Sequence, residues 1–154
     1  MYKIVTTTMD HVHELANTMR AADVRECWAA NHFGPLDALK HSIYHTHTPK
    51  TGLWNRKVIC IWGVGKLTHL SKEGIPWMLT SNLVDTHYRE FLRRGPELIM
   101  DIKKEAIVLT NMVDARNTIS IKWLKWLGFT IHTPVPFGPD GMLFHPFIME
   151  NYSD

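Results

Sequence analysis

The chain has 154 residues, 45% of them hydrophobic and 21% charged, with a net charge of +2. A single domain of that size buries roughly 68–70% of the surface its unfolded chain exposes, so it needs no disulfide or metal staple, and the small charge gives no ground for a nucleic-acid or membrane partner. Cys27 and Cys60, the only cysteines, read as small buried hydrophobes of a reducing compartment, and neither a signal-peptide core nor a run of ~18 apolar residues is present, so a cytoplasmic protein is expected.

Tyr2 to Thr8 alternates and is β-branched, which predicts a strand, and Asp10 is the expected N-cap of a helix carrying Val12, Leu15 and Met19 on one face. "RAADVRECWAANHFG" continues as a second helical piece ending near Gly34. Pro35 then opens a helix through about His45, with Leu36, Leu39 and Ile43 as its apolar stripe. "TGLWNRKVICIWGVGKL" changes period: two strand-like runs meet at a tight turn on Asn55 and Arg56, and the second, Val58 to Val64, is apolar enough for a central strand. "GIPWMLTSN" gives another strand, with Pro76 expected at its start, where no ladder hydrogen bond is lost. These three strands predict an antiparallel meander.

From Asp85 the helical period returns, with Phe91, Leu92, Leu98, Ile99 and Ile102 on one side and a kink or break expected at Gly95-Pro96. Ala106 to Val113 is the next strand. A helix follows, capped by Asp114 or Asn117 and ended by Gly128, and Ile119, Trp123, Trp126 and Leu127 are its expected core face. Phe129 to Thr133 is a strand, "PVPFGPDG" a loop, and Leu143 to Met149 the last strand. Residues 1–154 therefore read as one mixed α/β (α+β) domain.

The start of the late helix is small and polar, with Asn117 and Ser120 where unpaired backbone N–H groups favour a ligand amide or anion. The element order, and the pattern Asn117, Ser120, aromatic-rich helix, Gly128-Phe129, resemble the GNAT superfamily of acyl-CoA-dependent N-acetyltransferases. "WGV" (Trp62 to Val64), "PWML" (Pro76 to Leu79), "FLRR" (Phe91 to Arg94), "DARN" (Asp114 to Asn117), "WLGFTIH" (Trp126 to His132) and "G-x-x-FH" (Gly141 to His145) narrow it. They resemble, in order, the GNAT-like proteins of short-tailed phages, including the internal virion protein A group.

The resemblance implies a mostly antiparallel sheet flanked by helices, with one splayed parallel strand pair. It implies acetyl-CoA lying in that splay, its thioester against the backbone of Leu79, Thr80 and Ser81 and its pantetheine arm by Asn117 and Ser120. It implies transfer to an amine, a host protein's among them, in the host cytoplasm or the virion. The chain departs from the superfamily twice: "TSNLVDTHYR" lacks the glycines of the usual pyrophosphate turn, and Leu124 stands where many members place a proton-donating tyrosine. Arg89, Arg93 and Arg94 are candidates to hold phosphates instead, Ser81, His87 and Tyr88 to protonate the thiolate, and Glu26 or Asp23 to deprotonate the amine. A fold that has lost catalysis and serves as a binding module is the competing expectation. Ten histidines include the helical pair His41 and His45, but no third ligand follows at a metal-binding spacing, so no metal is expected. The six tryptophans are dispersed and read as core and cleft walls rather than a nucleobase platform.

Overall fold

In the computed structural model, which describes residues 1–68 and 70–151, the chain opens with strand β1 (Tyr2–Thr6). Helices α1 (Met9–Thr18), α2 (Ala21–Asn31) and α3 (Pro35–Tyr44) follow. The meander is β2 (Lys50–Trp54), β3 (Lys57–Gly65) and β4 (Glu73–Thr80). The second helical region is split into α4 (Leu83–Thr86), α5 (Tyr88–Arg93) and α6 (Gly95–Lys103), with the last break at Gly95-Pro96. Then come β5 (Val108–Asp114), α7 (Thr118–Leu127), β6 (Thr130–Ile131), β7 (Val135–Phe137) and β8 (Met142–Glu150).

The strands form one sheet in the order β1-β2-β3-β4-β5-β8-β6, with β7 on β8. All neighbours are antiparallel except β4 and β5. The expected fold is present, splayed pair included. Asn55 and Arg56 both take positive φ (48° and 71°), the geometry of a two-residue hairpin turn that follows the strand twist.

One face of the sheet carries α1 and α3 over Val58, Ile61 and Leu79. The other carries α4 to α7 over Ile59, Cys60, Trp62, Leu109 and Phe147. β3 is buried over all but its first residue because both layers cover it. Both cysteines are free, and no helix among the described residues is long and apolar enough to cross a membrane.

Four local expectations are corrected. Thr8, not Asp10, caps α1: its Oγ1 accepts the His11 N–H (3.3 Å) and its own N–H donates to His11 Nδ1 (3.0 Å), a capping box with histidine in the usual glutamate position. α2 stops at His32 in the left-handed conformation (φ 55°), before Gly34 is reached. Pro76 lies inside β4 rather than at its start; it is tolerated because its missing N–H falls on the edge that has already parted from β5. The face of α7 is rotated from the one expected: Ile119 and Trp126 are 49% and 58% exposed, and Ile121, Trp123, Leu124 and Leu127 pack on the core instead. Trp126 lies over Gly95, where any side chain would collide with its ring.

Candidate active site in the strand splay

β4 and β5 are paired only through Glu73 with Val108 and Gly74 with Leu109. Beyond those rungs the strands part, and the β5-facing edge of β4 has no ladder partner. Side groups take over part of that edge. Asn111 Nδ2 donates to the Pro76 carbonyl (2.8 Å). At the far end, Asp23 Oδ2 accepts the Thr80 N–H (2.8 Å) and the Thr80 carbonyl accepts the Arg20 N–H (2.9 Å).

Between them lies Met78. Because backbone polar groups alternate sides along a strand, Met78 must turn its N–H and C=O to the same edge as Pro76 and Thr80, and there β5 offers neither a partner. Leu79 turns its groups the other way, toward Ile61 of β3. Ser81 does likewise, its N–H on the Ile59 carbonyl (2.9 Å) and its hydroxyl on the Val58 carbonyl (2.8 Å). The free backbone of the splay is therefore at Met78, whereas the backbone of Leu79 and Ser81 faces β3 and that of Thr80 is engaged by Asp23 and Arg20.

Around this edge is a cavity of about 260 Å³ that passes through the splay from one face of the sheet to the other. On the α4–α7 side it is walled by Val84, Tyr88, Phe91, Trp123 and Leu124; on the α1–α3 side by Glu26, Cys27, Phe33 and Trp77, with Phe137 and Phe144 from the last strands. Arg20, Asp23, Thr80 and Ser120 stand where the two halves meet.

Arg20 is nearly buried (8% exposed) and ties the splay together. Its Nε donates to Thr80 Oγ1 (3.2 Å), and Nη2 donates to Asp23 Oδ1 (3.1 Å), Ser120 Oγ (3.3 Å) and Asn117 Oδ1 (3.5 Å). Thr80 Oγ1 in turn donates to Asp23 Oδ2 (2.6 Å). Asn117 therefore sits at the N-cap of α7 without capping it, its carbonyl turned to Arg20 and its buried amide Nδ2 without a hydrogen-bond partner among the described residues. Trp123 Nε1 is likewise buried and has no hydrogen-bond partner among the described residues.

Glu26 Oε1 accepts the Asp114 N–H (2.7 Å). Burial lifts its carboxyl from 4.5 to about 8; Asp23 and Asp114 push the same way, while the hydrogen bond from the Asp114 N–H pulls against them. Burial also pushes the Cys27 thiol up to about 12, which leaves it protonated and unreactive. Asp114 feels burial too, yet the Arg116 guanidinium and backbone N–H outweigh it and hold the carboxylate below its usual range.

The sequence-derived candidates thus divide. Glu26, Thr80, Ser120 and Tyr88 line the cavity, and Leu79 does so with its side chain. Asn117 stands behind Arg20. Ser81 has its proton committed to Val58, and His87 packs tilted against Trp54 (ring centroids 4.4 Å apart), and neither lines the cavity. Arg89 and Arg93 are exposed on the helix surface, and Arg94 is held by Glu97 (3.0 Å) over the Tyr2 ring (5.0 Å). Asp23 has both oxygens engaged, which disqualifies it as a base. Arg20 had no signal in the sequence, since three of its partners lie 60 to 100 positions on. Asn111 had a faint one, as a polar residue inside an apolar strand.

No protein-family model matches the chain, and no curated protein sequence does. Solved structures do. The protein yncA from Salmonella typhimurium, solved with its cofactor acetyl-CoA, superposes with a TM-score of 0.69 at 14% identity over 100% of this chain and 96% of its own. An N-acetyltransferase from Staphylococcus aureus gives 0.67 at 13% identity, over 99% of each chain. Spermidine N-acetyltransferase from Vibrio cholerae, in complex with CoA and spermine, gives 0.61 at 8%, over 97% and 95%. The fold is that of the GNAT acetyltransferases.

Proposed function

We propose that this protein is an acyl-CoA-dependent N-acetyltransferase that holds acetyl-CoA in the β4–β5 splay and passes the acetyl group to an amine entering from the α2 side. The observation that carries the reading is the unpaired strand edge at Met78, facing a cavity that pierces the sheet. A thioester carbonyl and a pantetheine amide are the groups such an edge would hydrogen-bond, as the missing strand would. The bound cofactor supplies the activated acetyl group. Trp123 and Leu124 flank the arm, and Ser120, small at the helix start, leaves it room.

On the opposite side, the Glu26 carboxylate accepts the proton that the amine sheds as it bonds to the acetyl carbon. With its carboxyl at about 8, roughly a tenth of the molecules carry the ionised base at neutral pH, a compromise between availability and basicity. Tyr88 Oη supplies the proton taken up by the sulfur as the C–S bond breaks. Among Ser81, His87 and Tyr88, it is Tyr88 that lines the cavity. The phage motifs of the sequence set the biological frame, a phage protein acting on the host and placing host-protein amines among the acceptors to be tried; that frame rests on the motifs alone.

One observation favours a second reading, a GNAT-fold binding module without catalysis. Arg20 spans the mouth of the splay, and the turn after β4 has no glycine to wrap a pyrophosphate. Calorimetry with acetyl-CoA, followed by thiol release with a panel of amines, separates the two. Binding with release supports the enzyme, binding without release supports the module, and no binding at all removes the cofactor role.

A further inference from the structure

We infer that the acceptor is a small arylalkyl amine, with an apolar body and no second positive charge. The inference rests on the acetyltransferase reading and narrows its substrate.

The acceptor half of the cavity is lined by rings. Phe33 stands at the end of α2, Trp77 and Met112 form the floor from β4 and β5, and Phe137 and Phe144 pack edge to face (5.1 Å) as the far wall. Trp77 has its polar edge already satisfied, Nε1 donating to Thr46 Oγ1 (2.8 Å), so it offers a substrate its apolar surface. Such walls reward an aromatic or aliphatic body, and the polar side chains that also line this half, Asn31 and Ser42, are uncharged.

The charges point the same way. Asp23 is neutralised by Arg20 and has both oxygens occupied. Asp114 is held by Arg116 (2.7 Å). That leaves Glu26 as the carboxyl facing the acceptor, and its one role is to take the proton of the reacting amine. His41, also on this wall, packs against Phe33 (5.3 Å) and brings no carboxylate. A second ammonium would be desolvated with no carboxylate to pair with, which is costly. The arrangement is thus unsuited to a polyamine.

Access is restricted as well. His32 Nε2 and Asp140 Oδ2 are 2.8 Å apart, joining the end of α2 to the β7–β8 turn. In that turn Gly138 lies so close to the Ala29 carbonyl that a methyl group there would run into it. The two segments touch through their backbones, so no open trough for an extended peptide runs between them. An acceptor must fit inside.

The test is thiol release at saturating acetyl-CoA with 2-phenylethylamine, hexylamine, spermine, a lysine-containing peptide and a host-lysate protein fraction. The expected result is a kcat/KM for 2-phenylethylamine on the order of a hundredfold above spermine and the peptide, with hexylamine between. Phe137→Ala should raise KM for 2-phenylethylamine while leaving acetyl-CoA affinity, read by calorimetry, where it was. Ala30→Glu, which adds a carboxylate to the same wall, should bring spermine into use and weaken 2-phenylethylamine. A parent that prefers spermine, the peptide or lysate protein overturns the inference and leaves the acetyltransferase reading standing. Acetyl-CoA binding with no amine turned over overturns it in favour of the binding module, and failure to bind acetyl-CoA brings down both.

Discussion

Arg20 reaches across the open end of the splay to place Nη2 3.3 Å from Ser120 Oγ, joining the junction of α1 and α2 to the first turn of α7 through the gap between two strands. A cofactor arm running from the α7 side to Met78 has to pass this contact. The bonds to α7 are long (3.3 and 3.5 Å), whereas Asp23 is ion-paired, so opening the mouth means releasing Ser120 and Asn117 while Arg20 keeps its carboxylate. Arg20→Lys keeps the charge beside Asp23 and cannot fork to α7. Without those two weak bonds to break, acetyl-CoA should bind about tenfold tighter by calorimetry, which is ~1.4 kcal/mol and within what two such bonds contribute. Weaker binding by the lysine variant would mean that the guanidinium itself grips the cofactor.

Glu26 gives a prediction in which activity and stability move in opposite directions with pH. The folded protein holds the carboxyl proton up to about 8, against 4.5 for the ordinary group, so between those values folding takes up a proton. The stability contributed by the neutral acid is complete below 4.5, declines as pH rises, and is gone above about 8. Transfer, which needs the carboxylate, should instead climb through about pH 8. Glu26→Gln should lower kcat by 10²–10⁴-fold and flatten the pH–rate profile. It should also remove the stability slope, so that the variant loses less melting temperature than the parent between pH 5.5 and 8.5. An unchanged pH–rate profile would assign the base elsewhere.

How much of this was legible depends on the range over which each feature is encoded. The Asn55-Arg56 turn, the buried β3 run and the Gly128 helix end were readable because one or two residues and their neighbours determine them. α7 was half readable: the helix follows from its period, but its apolar residues are too many to fit one stripe. Which of them face inward depends on where β5 and α6 lie, and the structure leaves Ile119 and Trp126 outside. The splay was legible only through resemblance, because nothing in β4 or β5 alone says that pairing ends at Gly74. Arg20 was illegible for the same reason in stronger form, being defined by three side chains far along the chain. Asp23 reads in sequence as a candidate base, and only the distant Thr80 together with the neighbouring Arg20 shows its oxygens to be occupied.

Gly138 tests the frame of the acceptor pocket without touching the proposed chemistry. Its φ is +78°, and a Cβ would collide with the Ala29 carbonyl. Gly138→Ala therefore carries the left-handed cost of ~1–2 kcal/mol together with displacement of the turn from α2. We expect a lower melting temperature, a raised KM for the amine and near-parental affinity for acetyl-CoA. A variant as stable as the parent would show that the turn and α2 are not held together.

The last prediction concerns how the thiolate leaves. Tyr88 and Leu124 both line the cavity, from α5 and α7, and Leu124 has nothing to donate. If Tyr88 Oη is the donor, Tyr88→Phe should reduce kcat and leave acetyl-CoA affinity intact, since the ring and its packing remain. General acid help is typically worth 10²–10⁴-fold, and a thiolate leaves readily, so the loss should sit at the lower end, about 10². Leu124→Tyr puts a second hydroxyl on the α7 side of the same space and should restore turnover to the Tyr88→Phe protein, read as thiol release at saturating acetyl-CoA. Rescue in the double variant places the requirement on a proton delivered into this cavity rather than on Tyr88 packing. If Tyr88→Phe releases thiol at the parental rate, the sulfur departs unassisted and Tyr88 is only a wall. A parent silent with every amine, and still silent with Leu124→Tyr, would leave the Arg20-spanned splay as a binding site alone.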